Sequence, residues 1–172
     1  MEIPRIPRCE YPITIREIGP FDAECASVGM VVRAPTGKIL LLDRLKGIYG
    51  GKDSSNCEFD PGLGYACPAG HIEKDEHPFY AGLRELEEET GINKALKSAS
   101  IVLELWASNP CRKAKNHHWY IMLIEIDREL GAIMEPTKHG SLTWADPDVA
   151  LGFDLEPAWR SILWHMKQKG IL

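Results

Sequence analysis

Gly70-His71-Ile72-Glu73-Lys74-Asp75-Glu76-His77-Pro78-Phe79-Tyr80-Ala81-Gly82-Leu83-Arg84-Glu85-Leu86-Glu87-Glu88-Glu89-Thr90-Gly91-Ile92 is a turn followed by a helix. Pro78 suits a first helical turn, where its missing N–H has no intrahelical partner anyway. Gly91 suits the position just past the end, where a left-handed residue closes the helix. At about 100° per residue, Phe79, Leu83, Leu86 and Thr90 fall on one side, and Ala81, Glu85, Glu88 and Glu89 fall on the other. Glu85 precedes Glu88 by three residues and Glu89 by four, and like charges so spaced cost an isolated helix about 0.2–0.5 kcal/mol per pair. No Lys or Arg stands four residues after any of the three. A face that accepts this repulsion points to a bound cation. Carboxylates without His or Cys beside them suit a hard divalent ion, Mg²⁺ or Mn²⁺. Three glutamates taken alone also read as a solvated acidic face.

The surrounding residues change the balance. Gly70, Glu76, Arg84, Glu85, Leu86, Glu88, Glu89, Gly91 and Ile92 match, in register, every specified position of the signature of Nudix hydrolases, so the chain resembles that family. The match covers 23 of 172 residues. The resemblance implies attack of water on a phosphorus of a nucleoside diphosphate linked to another group, with Mg²⁺ or Mn²⁺ as cofactor. It also implies roles by position. Glu85, Glu88, Glu89 and the backbone carbonyl of Gly70 become the metal ligands. Arg84 joins the catalytic set by orienting Glu85 through a charge-assisted pair. Glu76, at the helix start, stands behind the ligands, favoured there by the helix dipole. The general base is either Glu85 or Glu135. Glu135 lies in Met134-Glu135-Pro136-Thr137-Lys138-His139, with Trp144 shortly after. That segment resembles one found in Nudix enzymes that act on nucleoside triphosphates, which puts Lys138 and His139 against phosphate. Trp144 either stacks on a base or fills the core.

Composition sets bounds. Apolar residues make up 44% and charged residues 26% of the chain, which is a globular balance with enough length for one full core. The expectation is a single domain over residues 1–172, with residues 1–12 an irregular arm holding Pro4, Pro7 and Pro12. A net charge of −5 argues against a nucleic-acid polymer as partner but not against a nucleotide, whose phosphates a metal can neutralise. No apolar run of membrane-spanning length and no signal-peptide pattern follows Met1, so the expected location is cytoplasmic with no membrane partner. Five scattered cysteines fit reduced thiols. Cys111, His117 and His118 match no zinc spacing. Nothing decides between a monomer and a homodimer.

Along the chain, Ile13 to Ile18 and Ser27 to Arg33 read as strands. Ala34-Pro35-Thr36-Gly37 is a turn, and Lys38 to Arg44 returns as the second arm of a hairpin. The unbroken apolar run Ile39 to Leu42 suggests burial on both faces. Leu45 to Gly64 is a long Gly-rich loop that either covers the site or is an inert insertion. Tyr65 and Ala69 occupy positions where the Nudix pattern has Trp and Gly. Ile101 to Trp106 and His118 to Asp127 read as paired strands, joined by a polar turn with Arg112, Lys113 and Lys115. In the second of them Tyr120, Met122, Ile124 and Ile126 share a face. Leu130 to Leu142 reads as loop, Thr143 and Trp144 as a short strand or turn, and Glu156 to Lys169 as the closing helix. Strands interleaved with two helices make an α/β fold: a mixed central sheet with a helix on each face, the Nudix-type α/β/α sandwich that the resemblance implies.

Two rival readings stand against a hydrolase. Isopentenyl-diphosphate isomerases resemble Nudix proteins but need a Cys-rich stretch and a histidine metal site. A regulatory module that binds a nucleotide without cleaving it is expected to have lost box glutamates. A sugar nucleotide or dinucleotide is the alternative hydrolase substrate, although Pro110 stands slightly late for one such subfamily marker.

Overall fold

Near-continuous apolar runs form the central strands, and Pro35 and Gly37 turn the chain between the first two of them. In this computed structural model the described residues are 12–17, 19, 22–45, 62–93, 96–131, 135 and 137–172. The arm at 1–11 and residues 46–61 of the long loop lie outside them. The strands are β1 (Ile15–Arg16), β2 (Cys25–Arg33), β3 (Ile39–Arg44), β4 (Gly64–Ala66), β5 (Ala69–His71), β6 (Leu96–Ala107), β7 (His117–Ile126) and β8 (His139–Ala145). The helices are α1 (Pro78–Thr90), a short α2 (Pro147–Ala150) and α3 (Pro157–Gln168).

The sheet runs β1-β6-β7-β2-β3-β4, with β5 on β2 and β8 on β3. It is mixed, since β2 and β7 pair in parallel from Cys25↔His117 to Arg33↔Glu125, whereas the other pairs are antiparallel. β2 and β3 meet at Arg33↔Ile39 and then take different partners. β2 turns to β5 through Ser27↔His71, Val28↔Gly70 and Gly29↔Ala69, and β3 turns to β4 and β8. The first residues of the box therefore form an inserted strand beside β2, and α1 leaves from it.

Alternation along β2 builds two cores. Val28, Met30 and Val32 join Leu40, Leu42, Met122, Ile124 and Ile126 under Ala81 and Leu86 of α1. Val31 joins Ile39, Leu41, Leu105, Trp119 and Ile121 under Trp159, Ile162, Leu163 and Met166 of α3. The expected helix on each face is thus present. Burying each such side chain stabilises by about 1.5–3 kcal/mol before entropy is counted. Gly29 is small for a reason: a Cβ there would lie 2.6 Å from the Trp159 ring. β6 is longer than expected, extending from Leu96. The expected loop from Leu130 to Leu142 is also corrected at its end. His139 already pairs with Arg44 and Leu142 with Leu42, because β3 offers a free edge for the whole of β8.

Candidate active site

The long helix begins and ends as its sequence directs. His77 is the N-cap, its Nδ1 accepting from the Phe79 N–H at 3.2 Å, and Pro78 follows. Gly91 sits at φ 70° and donates its N–H to the Glu87 carbonyl. The two-sided reading of its faces needs one correction. Ala81 is fully buried in the α1-side core, and Glu89 is only 6% exposed. β5, not solvent, lies against this part of the acidic face, so α1 buries a wider arc than its apolar residues predict.

Two carboxylates are pressed onto β5. A Cβ on Gly70 would lie 2.0 Å from Glu85 Cδ and 2.3 Å from each of its oxygens, so only glycine admits that carboxylate. Glu89 Oε2 accepts the Ala69 N–H at 3.0 Å. Burial pushes the Glu89 carboxyl up to about 7, opposed by the charges of Arg44 and Lys138 and by the Ala69 bond and reinforced by Glu85. Burial also raises Glu85, against the pull of Arg84. Glu88 projects further out, with its side chain 52% exposed.

Arg84 ties this group together. Its Nε and Nη2 donate to the two Glu76 oxygens at 2.8 and 2.9 Å, a bidentate pair. Its Nη1 donates to Glu85 Oε1 at 2.8 Å and approaches Glu88 at 3.4 Å. Nη2 also reaches the His71 carbonyl at 3.2 Å. Hydrogen bonding to Arg84 holds Glu76 down at about 2. Glu76 additionally accepts the Glu73 N–H at 3.0 Å, which fixes the turn before the helix.

The distant segment arrives beside these residues without completing them. Lys138 pairs with Glu135 at 2.6 Å, and the Glu135 carbonyl accepts the N–H groups of Lys138 and His139. His139 is 4% exposed, its Nδ1 is buried with no hydrogen-bond partner among the described residues, and burial drops its imidazole to about 4. Trp144 is half-buried: it packs against the α1-side cluster and donates its indole N–H to the Leu130 carbonyl at 2.9 Å. Arg44, at the end of β3, is a site cation that sequence reasoning missed. It meets Glu156 at 3.2 Å, and its charge reaches Glu89, His139 and His71. The one available signal was a charged residue ending an apolar strand.

A carboxylate-bearing helix leaving an inserted strand of a mixed α/β/α sheet defines a class of phosphoanhydride hydrolase. The NUDIX domain family matches residues 24–165, and the chain belongs to the Nudix hydrolase family, whose members generally use divalent metal ions. The chain is 31% identical over 161 residues to the human m7GpppN-mRNA hydrolase NUDT17, an alignment covering 87% of this chain and 44% of that protein. It therefore spans less than half the length of that relative. Among solved structures, a Nudix hydrolase from M. smegmatis, RenU, superposes with a TM-score of 0.59 at 16% identity, covering 86% of each chain. A C. elegans Ap4A hydrolase superposes at 0.57 and 17% identity, covering 84% of this chain and 96% of that one.

The donor set fits a hard divalent cation. Glu85, Glu88 and Glu89 offer oxygen alone, on one stretch of helix. Glu85 and Glu89 are held at the strand with their ionised forms disfavoured by burial, a cost that a bound cation relieves.

Proposed function

We propose that this chain is a Mg²⁺- or Mn²⁺-dependent pyrophosphohydrolase that cleaves a diphosphate bond in a nucleoside diphosphate linked to another group. The observation that carries it is the pair of carboxylates held on β5 by Gly70 and the Ala69 N–H, with Arg84 bridging Glu85 and Glu88. Glu85, Glu88, Glu89 and the Gly70 carbonyl hold the ion, which when bound neutralises diphosphate oxygens and acidifies water. Arg84 fixes the Glu85 carboxylate, and Glu76 fixes Arg84. Glu85 serves as general base in preference to Glu135. Both carboxylates are paired with a cation, Glu85 with Arg84 and Glu135 with Lys138, but Glu85 lies within the carboxylate cluster and its carboxyl is raised by burial despite that pair. Lys138, exposed beside the carboxylates, binds phosphate, and the buried, neutral His139 supports it from behind. Five scattered cysteines support reduced thiols and a cytoplasmic location. Among the described residues, no helix is long and apolar enough to cross a membrane.

For the substrate we favour nucleoside triphosphates, on the Glu135–His139 segment. A second reading, a capped substrate of the m7GpppN type, is supported by the likeness to the human m7GpppN-mRNA hydrolase NUDT17. The test is a panel of nucleoside triphosphates, nucleotide sugars, dinucleoside polyphosphates and capped oligonucleotides, with released phosphate and pyrophosphate quantified. Turnover that needs Mg²⁺ or Mn²⁺ and stops in excess EDTA is expected. Full turnover in EDTA sinks the metal role. Binding of panel members without cleavage of any makes the chain a regulatory module.

A further inference from the structure

At the other end of β5 the fold assembles a cluster that sequence spacing did not show. The ligand atoms of Cys25, His71, Cys111 and His117 all lie within 4.8 Å of one another. The four come from the first residue of β2, the last of β5, the β6–β7 turn and the first of β7. Register makes two of them neighbours, since Cys25 and His117 are directly opposed in the parallel β2–β7 ladder. His71 sits on β5 opposite Ser27, two residues along β2 from Cys25. Cys111 is delivered by a tight turn, its N–H donating to the Ala114 carbonyl at 2.8 Å. His118, the next residue on β7, points away and pairs with Glu104 at 2.7 Å.

We propose that Cys25, His71, Cys111 and His117 form a structural zinc site, separate from the carboxylate site on α1. Two thiolates and two imidazoles in one small volume are a donor set of the kind that binds Zn²⁺ tetrahedrally. Ligands about 2.0–2.3 Å from a common Zn²⁺ stand roughly 3.3–3.8 Å apart, so the cluster needs only side-chain contraction of about 1 Å. The supporting bonds are already made. The His117 Nδ1–H donates to the Asn109 carbonyl at 2.7 Å, which leaves Nε2 as the lone-pair nitrogen. Asn109 is itself held, its Oδ1 accepting the Trp119 indole N–H at 2.9 Å. The Lys113 N–H donates to Cys111 Sγ at 3.3 Å, the kind of bond that steadies a ligating thiolate. With both thiols deprotonated, the two thiolates balance the charge of the ion. The bound site ties β2, β5, the β6–β7 turn and β7 together, and it anchors the strand that carries Gly70.

The test uses the full chain, purified under reducing conditions, stripped of metal and then loaded with ZnCl₂ in excess Mg²⁺, so that the carboxylates are already filled. Expected are one tightly held Zn²⁺ per chain by elemental analysis and release of about two protons on binding. Zinc should protect Cys25 and Cys111 from alkylation, read by peptide mass, and should raise the melting temperature by several degrees. Co²⁺ in place of Zn²⁺ should show thiolate charge transfer and tetrahedral visible bands. The Cys25→Ser/Cys111→Ser double variant should lose the zinc and the charge-transfer band. His71→Asn, at the exposed side of the cluster, keeps the thiols and the fold and should weaken zinc by more than about 10-fold. Zinc present only in traces, an octahedral cobalt spectrum, unchanged affinity in His71→Asn, or a Cys25–Cys111 disulfide that persists in the reduced preparation would each overturn the proposal.

Discussion

Gly70 and His71 are consecutive residues of β5, and each meets a different ligand cluster. The pleat sends them to opposite faces. Gly70 faces α1 and receives the Glu85 carboxylate, whereas His71 turns to the face that also carries His117 and Trp119. One cluster offers only oxygen and the other two sulfurs and two nitrogens, so donor sets suited to a hard and to a softer cation are separated by a single peptide unit. The first cluster comes almost entirely from one helix. The second is drawn from four places in the chain. A local cluster survives changes in strand register, and a dispersed one depends on it. If the two are independent sites, each should fail without emptying the other.

The largest effect is expected from the glutamates. Glu88→Gln keeps size and helix propensity and removes one ligand charge. It should lower kcat by more than the roughly 10–100-fold that loss of an outer partner costs. Zinc content of the Cys/His cluster should stay that of the wild type. Unchanged turnover would remove Glu88 from the site, and joint loss of turnover and zinc would merge the two clusters into one. Gly70→Ala is next. Its Cβ would lie 2.0 Å from Glu85 Cδ, so the carboxylate must move. Activity should fall by at least about 10-fold, with a stability loss of about 1–3 kcal/mol from overpacking. Wild-type kinetics in that variant would show that Glu85 need not lie on β5.

Arg84→Lys tests how the oxygen cluster is held. Lysine keeps the charge but cannot make the bidentate pair with Glu76 while also reaching Glu85. A loss of about 10-fold in kcat, with a small change in KM, is expected. A variant that kept its kcat would reduce Arg84 to neutralising charge.

The same contrast explains what was legible in the sequence. The spacing of Glu85, Glu88 and Glu89 was readable because helical period alone brings them together, and Pro78 and Gly91 bracket the helix in the chain itself. The apolar run Ile39 to Leu42 was readable because burial on both faces leaves its mark in one stretch. The Cys/His cluster was hidden because sequence spacing carries no record of cross-strand pairing. Cys25 and His117 are 92 residues apart in number and directly opposed in the sheet. Ala81 and Glu89 were misplaced because period reports the apolar stripe and not the strand β5 that lies beyond it. β8 was shortened because its early residues, His139 to Leu142, carry no alternation. Its pairing with β3 makes it a strand.

The smallest effect concerns Glu89 in metal-free protein and separates burial from ligation. Its carboxyl lies above the ordinary value of 4.5, at about 7, because burial disfavours the charge. The folded state therefore holds a proton that the unfolded chain has released between those values. The associated stability is fully present below about pH 4.5 and is lost as the pH rises through about 7. The whole shift, in which the Ala69 bond is already counted, corresponds to at most about 3 kcal/mol. Glu89→Gln has no such titration. In EDTA it should melt close to wild type at pH 5 and later than wild type at pH 8. Adding Mg²⁺ at pH 8 should reverse that order, since a cation that binds only the folded protein stabilises according to its saturation and the variant has lost a ligand. Melting curves at the two pH values, with and without Mg²⁺, read all four states. If the variant and the wild type share one pH dependence in EDTA, the Glu89 carboxylate is solvated and its contact with β5 carries no energetic weight. If the order at pH 8 does not reverse with Mg²⁺, Glu89 is a buried carboxyl of α1 and not a ligand.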